Sequence, residues 1–259
     1  MLLVLSPAKS LDESPLTRKV ATTTPQFMTR AAELIDVLRE KSPQDIASLM
    51  SLSDKLAGLN VARYQAWRAK APAQTKPALL TFNGDVYEGL DAPTLDDAGM
   101  AWAQEHVCIL SGLYGVLRPL DALQAYRLEM GTRLDNPRGK NLYAFWGADI
   151  TEYLNARLAK SETPILINLA SEEYFKSVQP RDLRGDLVNC AFEDFKGGKY
   201  KVISFFAKRA RGMMARWAIT QRMVTPKKLE GFRLNGYAFD ASVSAMDRLV
   251  FRRKAGSGA

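Results

Sequence analysis

Four apolar runs in this chain each end in residues suited to holding an anion. The exits are Ser6-Pro7-Ala8-Lys9, Asn83-Gly84-Asp85-Val86-Tyr87, Ser111-Gly112-Leu113-Tyr114-Gly115 and Ser171-Glu172-Glu173-Tyr174-Phe175-Lys176. Serine hydroxyls donate hydrogen bonds, glycine lets a backbone N–H approach closely, and Lys9, Arg118 and Lys176 bring positive charge to three exits; such groups hold phosphate. In parallel α/β sheets ligands bind at the carboxyl ends of the strands, and helices starting there aim backbone N–H groups at the same place. Ser111 and Ser171 equally suit helix N-caps, and the two roles are compatible. The same crevice, furnished with Ser6, Asp85, Tyr114, Arg118, Tyr126, Arg127, Glu129, Ser171, Glu172 and Lys176, would also position a nucleotide or a phosphorylated substrate. An enzyme is therefore the alternative to a polyanion-binding protein.

Other chemistries are closed off by what is scarce. His106 is the only histidine, so sites with two or three His ligands are impossible and any Ser-His or Cys-His mechanism would run through it. Its place directly before an apolar run reads as a helix end. Cys108 and Cys190 stand far apart with no CxxC pair, so neither a metal site nor a disulfide is expected, and a reducing cytoplasmic location follows. No metal ligand set and no cofactor is expected. Ser6-Pro7-Ala8-Lys9 fits the SxxK string of penicillin-recognising acylases, but no Lys-Thr-Gly accompanies it. Gly112-Leu113-Tyr114-Gly115 lacks the third glycine of a dinucleotide fingerprint, and no Walker A string occurs.

Charge points to a polyanion. The formal net charge is +8, yet residues 1–130 carry 13 Lys/Arg against 15 Asp/Glu, whereas residues 131–259 carry 23 against 13. Within 196–233 the basic residues Lys196, Lys199, Lys201, Lys208, Arg209, Arg211, Arg216, Arg222, Lys227, Lys228 and Arg233 meet one acid, Glu230. A field concentrated in this way attracts nucleic acid or an acidic membrane. Ala210, Met213, Met214 and Trp217 share one face of a helix over 208–222, which leaves Lys208 and Arg211 opposite, with Arg209 at the flank. That apolar face belongs to the core, so no membrane partner is expected.

A further DNA-gripping element is suggested by Ser42-Pro43, a short helix over 44–50, the connection Ser51-Leu52-Ser53, and a second helical stretch from Asp54. With Gly58 and Asn60 allowing close backbone approach, and Lys55 and Arg63 nearby, this could form a helix-hairpin-helix that holds DNA backbone without reading bases. An ordinary αα-hairpin is the other reading.

The elements that must position these groups follow from hydrophobic patterning. Continuous apolar runs at 2–5, 78–82, 107–110 and 165–169 read as strands buried on both faces, and amphipathic stretches at 26–39 and 147–158 read as helices. Residues 190–195 and 199–207 flank Lys196-Gly197-Gly198 as a β-hairpin, and the basic helix follows. The fold class is α/β, mixed α+β: a single compact globule over 1–254 with buried central strands, a late hairpin and a basic cleft. Residues 255–259 are expected to be a disordered tail. The opening apolar run is too short for a signal peptide or a membrane span.

Several long strings carry a family resemblance: Leu-Ser-Pro-Ala-Lys-Ser-Leu (5–11), Ser-Asp-Lys-Leu-Ala-Gly-Leu-Asn (53–60), Phe-Asn-Gly-Asp-Val-Tyr-Glu-Gly-Leu (82–90), Leu-Ser-Gly-Leu-Tyr-Gly-Val-Leu-Arg-Pro-Leu-Asp (110–121), Tyr-Arg-Leu-Glu-Met-Gly (126–131) and Ile-Asn-Leu-Ala-Ser-Glu-Glu-Tyr-Phe-Lys-Ser-Val (167–178). In this order they resemble the YaaA family of bacterial peroxide-stress-resistance proteins. The resemblance extends through Ile-Ser-Phe-Phe-Ala-Lys-Arg-Ala-Arg-Gly (203–212) and covers nearly the whole chain. It implies a cytosolic protein that helps a bacterium survive hydrogen peroxide, associated with lower free iron and less oxidative DNA damage. It also implies a compact α/β globule with a basic cleft and a helix-hairpin-helix that binds DNA.

The expected partner is DNA, duplex or damaged and mismatched, with little sequence preference, bound by a monomer. The expected contacts are Lys9, Lys55, Gly58, Asn60, Arg63, Arg118, Arg127, Lys176, Lys208, Arg209 and Arg211.

Overall fold

The computed structural model describes residues 1–16, 18–73 and 75–254. The expected tail at 255–259 lies outside the described residues. In chain order the elements are β1 (Leu2–Leu5), β2 (Ser10–Leu11), α1 (Met28–Arg39), α2 (Pro43–Met50), α3 (Asp54–Ala66), α4 (Ala78–Thr81), β3 (Phe82–Asn83), α5 (Asp85–Leu90), α6 (Asp97–His106), β4 (Val107–Ser111) and β5 (Gly115–Leu117). There follow α7 (Leu142–Trp146), α8 (Asp149–Leu158), β6 (Ile165–Asn168), α9 (Glu172–Phe175), β7 (Asp186–Lys196), β8 (Lys199–Lys201), α10 (Ser204–Thr220), β9 (Ala238–Phe239) and β10 (Arg248–Arg253).

The main sheet runs β5-β4-β1-β6-β7-β10-β9, with β8 paired to β7. The five central strands β4, β1, β6, β7 and β10 are mutually parallel, and β5, β8 and β9 join antiparallel. Every residue of β1 and β4 is buried, as their unbroken apolar runs require of strands covered on both faces. The expected α/β fold is therefore present, with the core strands 2–5, 107–110 and 165–169 where the patterning put them.

The run 78–82 forms no central strand. Pro77 opens a single helical turn, α4, closed by Leu80 N–H to Pro77 O at 3.1 Å and by the Thr81 hydroxyl to Pro77 O at 2.8 Å. Only Phe82 and Asn83 extend, pairing with β2 in a separate two-stranded sheet. A short apolar run has no periodicity to separate helix from strand. The late hairpin turns where expected, with Gly197 at φ 64° and Gly198 at φ 78°. Its second strand ends at Lys201, however, and α10 begins at Ser204.

α10 lies across α5 so closely that a Cβ on Gly212 would sit 1.8 Å from Val86 O, and one on Gly89 would sit 2.2 Å from Arg209 O. The helix also packs on β7 and α6, burying Ala207, Ala210, Met214, Ala215, Ala218 and Ile219. Met213 and Trp217, expected on that buried face, are only partly covered. Small residues dominate the buried side because α5 approaches it at backbone distance.

Glycine substitutions separate this crossing from the α2–α3 hairpin. Gly212→Ala drives a methyl into a backbone carbonyl that cannot yield, so it should cost about 3 kcal/mol or more, lowering the thermal midpoint by roughly 6–12 °C. Gly58 lies mid-helix in α3, and nothing stands within 4 Å of the place its Cβ would occupy. Gly58→Ala should raise stability by about 0.5–1 kcal/mol. Differential scanning calorimetry of the two variants reads both signs.

Candidate functional site

The chain leaves β1 for β4 on one side, while β6 leads to β7 on the other. The crevice between the carboxyl ends of β1 and β6 is thus the switch point of the sheet, the place where open α/β sheets take ligands. A cavity of about 470 Å³ opens there. Ser6 and Lys9 follow β1, Asn83 ends β3 with Gly84 and Asp85 after it, Ser171, Glu173 and Tyr174 follow β6, and Lys208 and Arg211 reach in from α10.

Two serines join the strand ends. Ser171 N–H donates to Ser6 Oγ at 2.9 Å, the Ser6 hydroxyl lies 3.3 Å from Ser171 Oγ, and Ser171 Oγ caps α9 by accepting from Tyr174 N–H at 3.4 Å. Tyr87 OH donates to Ser6 O at 3.0 Å. Burial pushes the Tyr87 and Tyr174 phenols well above their ordinary pKa, so both stay neutral. The helices that start here, α5 and α9, are short, and their first turns carry Asp85, Glu88, Glu172 and Glu173. Their dipoles therefore already face carboxylates, and side chains supply the positive charge.

That charge is matched unevenly. Lys9 Nζ is 2.8 Å from Glu129 Oε2, Arg127 holds the other carboxylate oxygen at 3.1 Å, and Lys208 Nζ is 3.9 Å from Asp85 Oδ2. Arg211 makes no hydrogen bond or ion pair with any described residue, and its Nε is buried without a partner. Burial lowers its pKa from the usual arginine value, against smaller opposing effects of Cys190 and Glu172. The crevice thus holds both signs of charge, with one guanidinium left unanswered.

Of the expected ligand-holding residues, Ser6, Lys9, Asp85, Ser171, Lys208 and Arg211 line this cavity. The Ser111 exit does not open into it. β4 turns straight into β5, and Ser111 is wholly buried, sharing a 2.7 Å hydrogen bond with Tyr126 OH and accepting from Tyr114 N–H at 2.9 Å. Tyr114 and Tyr126 are core residues, and Tyr114 OH takes the Trp67 indole N–H at 2.8 Å. Arg118 turns to Asp121, which is 1% exposed and also accepts from the Thr23 hydroxyl at 2.6 Å. Arg127 and Glu129 are tied to each other beside the cavity. Glu172 does not line the wall, whereas its neighbour Glu173 does and accepts from Gly131 N–H at 2.9 Å. Lys176 is exposed, 5.0 Å from the centre of the Tyr143 ring.

α2 and α3 do form a pair of helices on a tight turn. Ser42 and Asp45 make a reciprocal cap on α2, and Ser51 takes the left-handed conformation at its end. Gly58 and Asn60, expected to bring backbone close, lie inside α3; Asn60 is buried and donates to Leu56 O at 2.8 Å. Arg63 is ion-paired with Glu13, and Lys55 alone among these cations is exposed without an ion pair.

The basic stretch divides in the same way. Arg216 is spent on Leu90 O and Asp91 O at 2.9 and 2.7 Å, and Lys227 on Glu230 at 2.7 Å. Lys196, Lys199, Lys201 and Arg209 are exposed and unpaired with acids. Between them stand Phe195, Val202, Phe205 and Phe206, exposed at 40%, 54%, 51% and 38%. These aromatics were not anticipated; their interleaving with lysines over 195–209 is the signal that could have found them. Arg211, expected on the solvated face, turns into the crevice instead. His106 ends α6, stacked on Trp102 with Nδ1 2.9 Å from Met1 O. Among the described residues no group of three His, Cys, Asp or Glu is placed to hold a metal ion, and no helix is long and apolar enough to cross a membrane.

The family described as Peroxide stress protein YaaA matches residues 1–243. Curated relatives named UPF0246 protein are similar over nearly their whole length. That of Paracidovorax citrulli is 63% identical over 256 residues, 98% of this chain and 99% of the relative. That of Albidiferax ferrireducens is 61% identical over 255 residues, 98% of each chain. That of Polaromonas naphthalenivorans is 62% identical over 258 residues, 99% of this chain and 100% of the relative.

The Arg118–Asp121 pair makes a direct test of pairing against ligand contact. Arg118→Gln strips a buried carboxylate of its counterion and should cost about 1–3 kcal/mol in chemical denaturation. It should leave polyanion affinity per folded molecule unchanged, because Arg118 is already occupied.

Proposed function

The chain belongs to the peroxide stress protein YaaA family, and from that premise we propose that it is a cytoplasmic, monomeric DNA-binding protein that protects DNA from oxidative damage. The observation that carries this reading is the surface formed by the β7–β8 hairpin and the first turns of α10. Phe195, Phe205 and Phe206 stand exposed there among Lys196, Lys199, Lys201 and Arg209, none of which has an acidic partner. Lysines that neutralise phosphates release counterions, and exposed rings stack on bases that have lost their partners. This pairing of groups suits distorted or mismatched DNA better than intact duplex, and it reads no sequence.

The α2–α3 hairpin contributes less in this reading. Arg63 is held by Glu13, and Gly58 and Asn60 are not at the turn, so Lys55 is the one cation it offers. Arg118 and Arg127 are likewise committed to Asp121 and Glu129.

Fluorescence anisotropy with labelled single-stranded and mismatched DNA over a salt series tests the assignment. Changing Lys196, Lys199 and Lys201 to Gln should flatten the slope of log affinity against log salt by about 0.7 per lost contact for single strands. Phe205→Ala should weaken binding of unpaired bases by about 1–3 kcal/mol with the slope retained. An unchanged slope in the lysine variant would overturn the assignment.

A further inference from the structure

The switch-point crevice holds a guanidinium with no hydrogen bond or ion pair to any described residue. Arg211 rises from α10 into a cavity of about 470 Å³, and its Nε is shut off from water with no acceptor. The other two cations of the wall have acids: Lys9 lies at 2.8 Å from Glu129, and Lys208 at 3.9 Å from Asp85. Glu172 acts on the guanidinium only from beyond ion-pair distance. Arg211 is half-buried, and a guanidinium nitrogen held away from water without an acceptor is costly to fold. It persists where the fold leaves it no alternative or where an external anion completes it. The backbone around it is fixed by the close approach of Gly212, where a Cβ would sit 1.8 Å from Val86 O, so the Arg211 Cα is set at the cavity wall.

We infer that this crevice binds a small phosphate monoester bearing hydroxyls, a nucleotide or a sugar phosphate, with Arg211 and Lys208 on the phosphate. Arginine presents a planar fork of donors that matches two phosphate oxygens. Lys208 lies only at the outer limit of ion pairing with Asp85 and can turn to a stronger anion. The Ser6 and Ser171 hydroxyls add uncharged donors at the strand ends. Asp85, and the carboxylate oxygen of Glu173 that Gly131 N–H leaves free, supply acceptors for ligand hydroxyls. The cavity is of mononucleotide size, within the ordinary range for small-molecule sites. This inference is independent of the DNA-binding surface, since Phe195, Phe205 and the hairpin lysines do not line the cavity.

Thermal-shift titration of the full chain at matched ionic strength tests it, with AMP, ribose 5-phosphate, inorganic phosphate and unphosphorylated ribose as probes. AMP or ribose 5-phosphate should raise the midpoint saturably while ribose does nothing; a response to one and not the other says which source supplies the phosphate. Arg211→Gln should weaken the effective probe at least tenfold, and the unliganded variant should melt no lower than the parent, because it loses an unanswered charge. Should that variant fail to fold, Lys208→Gln, at an exposed position, should show the same loss. No shift with either ester, a response to inorganic phosphate alone, or a shift that survives both substitutions would overturn the inference. DNA affinity is not read in this experiment, so its outcome is separate from that of the DNA-binding proposal.

Discussion

The crossing of α5 and α10 is the constraint on which the site depends. At Gly212 the space of a side chain is occupied by the carbonyl of Val86, and at Gly89 by the carbonyl of Arg209. Two backbones in direct contact leave no slack, since packed interiors do not deform continuously. That contact sets Asp85, the first residue of α5, opposite Lys208 on α10, and turns Arg211 inward. It also fixes where α10 starts, and so where the hairpin and its exposed phenylalanines stand. Lys208 belongs to the crevice wall while Phe205, one turn earlier, faces solvent.

Pairing, not the number of cations, decides which of them can meet a partner. The chain carries a formal charge of +8, but Arg63, Arg118, Arg127, Arg216 and Lys227 are each engaged by a carboxylate or a backbone carbonyl. Several exposed cations keep no acid, Lys55 and Lys176 among them, but those on β7, β8 and the start of α10 are the ones that stand among exposed phenylalanines. In the proposed reading a polyanion meets these, because their charges and the rings beside them are clustered and no internal acid has to be displaced. The crevice works under the opposite condition: its charges are partly matched and partly shielded from water, which suits one compact anion rather than a long chain of phosphates.

Much of this was legible in the chain. β1 and β4 are buried on both faces and read as unbroken apolar runs, Gly197-Gly198 turns as a hairpin should, and the exits Ser6 to Lys9 and Ser171 to Tyr174 do meet at one crevice. The failures have local physical causes. Ser111 sits in an exit of the same composition, yet its hydroxyl is used up by Tyr126 and Tyr114 because β4 folds back at once into β5. The run 78–82 has strand-like residues but is captured by Pro77 into a helical turn. Arg211 could not be placed from a helical wheel, because α10 is covered on more than one side and its tightest contact is made by a glycine, which hydrophobic patterning does not register. Arg63 and Arg118 looked free because Glu13 lies far off in sequence and Asp121 is one helical turn from Arg118 in number only, within a loop.

DNA in this reading meets the β7–β8 hairpin and α10 rather than the α2–α3 hairpin, and hydrogen–deuterium exchange of the full chain with and without mismatched DNA reads that difference directly. Protection on DNA binding should concentrate in peptides spanning 194–211, with those spanning 42–66 unchanged. Protection confined to 42–66, with 194–211 exchanging as in the free protein, would contradict it.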